Sequence, residues 1–162
     1  MGNAEQNREA VSKLRELIKD IDTAMLTTMS DKGLVARPMK TQDVEFDGDL
    51  WFFTKKDTDK FHEILHNREV NVTYAGKSYV SVRGTAEIVE DPAKKKEYWS
   101  AGYEKLLKTS YDDPNVILLK VNVKSAEYWD SGNFAKMVIH FFNRVVGNET
   151  DDDHLNETLK FK

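Results

Sequence analysis

Between Glu5 and Asp22 the apolar residues Val11, Leu14, Leu17, Ile18 and Ile21 recur at steps of three and four among charged neighbours, the pattern of one helical face. An amphipathic packing helix is predicted there. At Thr23–Met29 the phase is lost, and small, apolar and threonine residues without a helical period predict a buried strand closed by the turn Ser30-Asp31-Lys32-Gly33. A second extended stretch runs from Leu34 to Phe46, and Asp47-Gly48-Asp49 then provides a hairpin turn before Leu50-Trp51-Phe52-Phe53-Thr54. Three strands in succession predict an antiparallel meander.

Thr58–Asn67 predicts a short helix with Phe61, Ile64 and Leu65 on one face, followed by a strand over Glu69–Ala75 and a turn at Gly76-Lys77. Tyr79–Glu90 alternates as a long strand. Asp91-Pro92 is a capping aspartate followed by a first-turn proline, so a helix over Lys94–Lys108 is expected, with a break near Gly102. Asn115–Val123 is the densest strand pattern in the chain and continues through a kink to Tyr128-Trp129. Phe134, Met137, Val138, Phe141, Phe142 and Val145 form an apolar helical stripe suited to core or dimer packing. Residues 1–147 therefore read as one domain, and 148–162 as a polar tail.

About six strands with short helices between them define an α+β fold, mainly β: a small antiparallel barrel or strongly curved sheet flanked by helices. Composition narrows the function without naming it. The 24 Lys+Arg against 28 Asp+Glu give a formal charge of −4, which removes the general electrostatic drive toward nucleic acid. With no cysteine, a disulfide-built module, a thiolate metal site and a cysteine nucleophile are all excluded. The first residues have no apolar signal core, and no window approaches the roughly 18 apolar residues of a spanning helix, so a cytoplasmic protein without a membrane partner is expected.

Four segments could carry chemistry. His62-Glu63-Ile64-Leu65-His66 matches the H-E-x-x-H pattern of zinc hydrolases, but Phe61, Ile64 and Leu65 mark the buried face of this short helix, and the extension that would supply a third histidine is missing. No metal is expected. Thr54-Lys55-Lys56-Asp57-Thr58-Asp59-Lys60 joins a strand end to a helix start, where free N–H groups and the helix dipole favour an anion and Thr54, Thr58 and Lys60 add hydroxyls and a cation. In Ala36-Arg37-Pro38-Met39-Lys40 the proline points to an edge or a bulge, with an arginine beside it. Glu127-Tyr128-Trp129-Asp130 ends the last strand in aromatic residues able to cover a flat ring. No Gly-x-Ser-x-Gly elbow, Walker loop or dinucleotide glycine fingerprint occurs.

In this order, Ala36-Arg37-Pro38-Met39, Leu50-Trp51-Phe52-Phe53-Thr54 with Lys60 beyond it, Tyr79–Glu87, Asp113–Val121 and Ala126–Asp130 resemble the pyridoxamine 5′-phosphate oxidase-like FMN-binding split barrels, specifically the general stress protein 26 group. The resemblance spans about residues 8–146. It implies a six-stranded split barrel that dimerises, with two FMN sites built from both subunits. On that basis Arg37, Pro38 and Met39 would line the flavin, Phe53 and Thr54 would lie beside its ring and ribityl chain, Thr58 and Lys60 would hold its phosphate, and Trp129 would reach in from the partner.

Departures from the family limit the activity that the resemblance implies. Thr58-Asp59-Lys60 stands where the vitamin-forming oxidases carry Ser-Arg-Lys, so an acid replaces a phosphate cation. Their lysine after the arginine strand aligns near Gln42, their glutamine near Tyr79, and their helix for pyridoxal phosphate has no match in Lys94–Lys108. Vitamin B6 synthesis is not expected. The implied function is a flavin-dependent oxidoreductase of unknown substrate binding FMN, or FAD or another flavin; the alternatives are a non-catalytic flavin-binding stress protein and, remotely, a zinc hydrolase using His62, Glu63 and His66.

Overall fold

In the computed structural model, residues 2–42 and 46–130 are described. The elements are α1 (Gly2–Ile18), β1 (Thr23–Ser30), β2 (Gly33–Lys40), β3 (Asp49–Lys55), α2 (Asp59–His66), β4 (Glu69–Ala75), β5 (Ser78–Val89), α3 (Pro92–Tyr98), α4 (Ala101–Leu107) and β6 (Val116–Asp130). The predicted helix at Phe134–Val145 and the tail at 148–162 lie outside the described residues.

All strand pairs are antiparallel, in the order β2-β1-β4-β5-β6-β3. The sheet curls until its two edge strands, β2 and β3, touch, which makes a six-stranded half-barrel. The expected meander is therefore corrected. β1 and β2 form a hairpin, but β3 pairs with β6 at the opposite end of the sheet, Leu50 facing Val121 and Phe52 facing Leu119. The physical reason is burial on both faces: Leu50, Trp51, Phe52, Phe53 and Thr54 are all buried. Such a strand matches the apolar β6 better than β2, whose pattern alternates with exposed residues. The second stretch also ends at Lys40 and does not reach Phe46, although Gly48 keeps the positive φ of a turn.

Two apolar layers sandwich the sheet. Inside the curl, Leu26, Phe52, Val72, Val82 and Leu119 pack with Ala10 and Leu14 of α1. Outside it, Trp51, Phe53, Val116 and Leu118 pack with Tyr103 beneath α3 and α4. The alternation of β3 thus sends Phe52 and Phe53 into different clusters. Asp91 caps α3 as expected, its Oδ1 accepting from the Ala93 and Lys94 amides at 2.9 and 3.3 Å. The break expected near Gly102 falls at Trp99-Ser100 and divides the helical stretch into α3 and α4.

The kink predicted in the last strand is a bulge. Arg83 faces Ser125 while Gly84 faces Val123, which leaves Lys124 as the extra residue on β6. Here the strands come so close that a Cβ on Gly84 would stand 2.3 Å from the Asn122 carbonyl oxygen. Only glycine fits without movement of the backbone.

Candidate functional site

β2 is an edge strand, as its proline suggested, and Pro38 is exposed opposite Met25. Its alternation turns Arg37 to the other face of the sheet, toward α2. There the guanidinium donates from Nη1 to Thr28 Oγ1 at 2.7 Å and from Nη2 to Glu63 Oε2 at 2.8 Å. Thr28 Oγ1 in turn donates to Glu63 Oε2 at 2.5 Å, so one fully buried hydroxyl is shared between the two charged groups. Three elements, β1, β2 and α2, thereby fix one arginine.

At the start of α2, Thr58 occupies the capping position without capping. Its Oγ1 donates to the Lys55 carbonyl at 2.7 Å and lies 3.4 Å from the buried Thr54 Oγ1. The amides of the first helical turn have no side-chain cap, and they carry the positive end of the helix dipole. Lys60 stands in that turn. Burial, then the Arg37 charge, pull its ammonium below the ordinary lysine value, while Glu63, Asp57 and Asp59 pull the other way. A half-buried cation with a second cation beside it is relieved by an anion. Lys60, Arg37 and the first-turn amides therefore have the donors and charge to take a phosphate, whereas the Thr58 hydroxyl hydrogen is already given to Lys55.

Glu63 has the complementary environment. Burial would raise its carboxyl, but the Thr28 hydroxyl, the Arg37 guanidinium and the Lys60 charge together hold it below the ordinary carboxylate value. The sequence points to Glu63 only as part of the zinc alternative and does not single out Thr28. The available signal was spacing: Glu63 follows Lys60 by three positions on one helix face, and Thr28 shares the inward phase of Ala24 and Leu26.

The other sequence-nominated residues lie apart from this cradle. Met39 is buried in the main core, and Phe53 is packed edge-on against Trp99 and Tyr103 at centroid distances of 5.0 and 4.8 Å. Trp129 is 39% exposed and pairs across the strands with Tyr79, itself 54% exposed. The histidines of the H-E-x-x-H segment do not converge on Glu63: the His66 ring nitrogen meets the His62 carbonyl at 2.8 Å, and among the described residues no group of three or more His, Asp or Glu side chains could hold a metal. A cavity of about 320 Å³ opens at the far end of β3, lined by Gln42, Leu50, Trp51 and Tyr74 among others. The Gln42 Nε2 is buried without a partner. That cavity is distinct from the Arg37–Lys60 cradle.

A six-stranded antiparallel sheet curled into a half-barrel defines a split-barrel protein. A family model described as "Pyridoxamine 5'-phosphate oxidase like" matches residues 9–152, and the chain belongs to that family. Among solved structures, General Stress Protein 26 from Bacillus anthracis str. Sterne is 26% identical, with a TM-score of 0.65 over 74% of this chain and 93% of its own. A Clostridium acetobutylicum protein related to general stress protein 26 of B. subtilis, of the pyridoxinephosphate oxidase family, shares the fold at 20% identity, with a TM-score of 0.66 over 76% of this chain and 89% of its own. A comparison with curated proteins finds no match. Among the described residues no helix is long and apolar enough to cross a membrane.

Proposed function

We propose that the chain is an FMN-binding oxidoreductase that works as a homodimer in the cytoplasm. The observation that carries this reading is that Arg37 of the edge strand β2 is bonded to α2, with its charge acting on Lys60 in the uncapped first turn of that helix. This set suits the terminal phosphate of a flavin mononucleotide. Family membership supports the choice of flavin.

Lys60 supplies the charge for the phosphate, the amides before Phe61 supply directional donors, and Arg37 presents whichever N–H groups its two existing bonds leave free, while Thr58, whose hydroxyl hydrogen goes to the Lys55 carbonyl, shapes the turn that presents those amides. Pro38 and Met39 contribute through the backbone of an edge strand, and Phe53 and Thr54 through the end of β3. When bound, the flavin supplies hydride or electron transfer at N5, and the chain governs its orientation and electrostatic surroundings. With no cysteine in the sequence, no protein thiol takes part.

A second copy is favoured by the outward face of the sheet. Met25, Met29 and Leu34 on β1 and β2, together with Tyr79 and Trp129 on β5 and β6, leave large apolar side chains between 39% and 72% exposed. An apolar sheet face of this kind is suited to self-association. Trp129 of each copy would then cover the flavin held by the other.

Titration with FMN, followed by flavin fluorescence and sedimentation, tests the reading. One flavin per chain on a dimer is expected, and a monomer that leaves FMN fluorescence unchanged would overturn it. Turnover assays with NAD(P)H and oxygen then separate an enzyme from a flavin-storing protein.

A further inference from the structure

Glu63 is the residue of the H-E-x-x-H segment for which neither metal chemistry nor flavin holding accounts. Its carboxylate takes a hydrogen bond from the buried Thr28 hydroxyl and an ion pair from Arg37, and the two charged side chains are only 18% and 15% exposed. Glu63 therefore does two things at once. It locks the guanidinium in place, and it neutralises the charge that guanidinium would bring to a phosphate.

The remaining charges around the cradle sharpen the point. Arg37 is compensated by Glu63 in the ion pair at 2.8 Å, which leaves Lys60 as the cation available to a phosphate; Asp57 and Asp59, whose charges also act on Lys60, are exposed. The two lysines at and just after the end of β3 act elsewhere: Lys56 pairs with Glu90, and Lys55 acts on Asp113. A doubly ionised phosphate monoester would bring one charge more than Lys60 balances. A singly ionised phosphate avoids that excess while keeping the same oxygen acceptors.

Resting on the flavin reading above, we propose that Glu63 is a specificity-determining positioning residue: it holds Arg37 as a directional donor and sets the cradle to accept a singly charged phosphate ester in preference to a doubly charged one. The ligand class this selects is a flavin bearing a phosphodiester or a monoanionic phosphate.

Three probes separate the ideas: riboflavin with no phosphate, its 5′-methyl phosphate diester with one charge, and FMN, which carries close to two charges at pH 8. The wild-type chain is expected to bind the diester at least as tightly as FMN. Glu63→Gln keeps a side chain of the same shape without the charge, and should tighten FMN relative to the diester by about tenfold, the scale of one nearby charge at partial burial, with riboflavin unchanged. Asp59→Asn, at an exposed position that does not hold the fold, should move the same ratio in the same direction by less. A lower FMN-to-diester preference in Glu63→Gln, or equal changes for all three probes, would overturn the selector role and leave the flavin reading standing. Should Glu63→Gln fail to fold, an unchanged ratio in Asp59→Asn would likewise overturn it. Binding of none of the three by the wild-type chain would overturn the flavin reading, and this inference with it.

Discussion

Arg37 on the edge strand and Glu63 on α2 are joined at 2.8 Å, with the buried Thr28 hydroxyl bonded to both. This pair ties α2 to the β1–β2 hairpin, and it has a pH signature. Because the folded state holds the Glu63 carboxyl below its ordinary value of about 4.5, the pair's contribution is fully present above that pH and is lost as pH falls through the lower folded value. Glu63→Gln should cost roughly 1–2 kcal/mol at pH 7, the range of a charge-assisted bond partly retained. Its deficit against wild type should shrink on acidification below that value. Urea midpoints at pH 7 and pH 3.5 give the comparison, and a deficit constant with pH would assign the loss to packing alone.

Lys60 provides the charge at the anion end of the site. Lys60→Ala is expected to weaken FMN by about tenfold or more while changing riboflavin little, since the lost contact is with the phosphate. Equilibrium titration with both ligands measures it. Equal losses would place Lys60 outside the phosphate site.

Gly84→Ala tests the close approach at the bulge. A Cβ 2.3 Å from the Asn122 oxygen and 3.0 Å from Val121 Cγ1 forces the β5–β6 ladder apart. A loss of about 2 kcal/mol or more is expected. Chemical denaturation would reveal it, with Lys124→Ala at the exposed bulge position expected to stay near wild type.

Trp129→Ala separates association from folding. The indole is 39% exposed, so its removal should change single-chain stability little. Sedimentation should nevertheless show weaker self-association, and FMN should bind less tightly. A variant that remains fully dimeric with unchanged FMN affinity would remove Trp129 from both roles.

Much of the fold was legible because local chemistry and tertiary context agree. The stripe from Val11 to Ile18, the Asp91-Pro92 start of α3, the edge-strand proline and the β4 boundaries all recur in the structure, although α1 ends at Ile18 and leaves Ile21 to pack from beyond the helix. The partner of β3 was not legible. A turn signal at Asp47-Gly48-Asp49 speaks only for its own backbone, whereas strand choice depends on how Leu50–Thr54 buries both faces. The same limit applies at the site. Lys60 and Thr58 announce themselves through the helix start, but Glu63 sits inside a pattern that suggests zinc, and its real partners, Thr28 and Arg37, are 35 and 26 residues away in sequence.

Whether a flavin phosphate sits on the Arg37–Lys60 cradle is decided by the visible spectrum of the purified chain, with the mass of any cofactor released on denaturation and with FMN added if the protein is colourless. A bound flavin is expected, with FMN taken up at micromolar concentration. A chain that binds neither FMN nor FAD at that concentration would refute the flavin assignment.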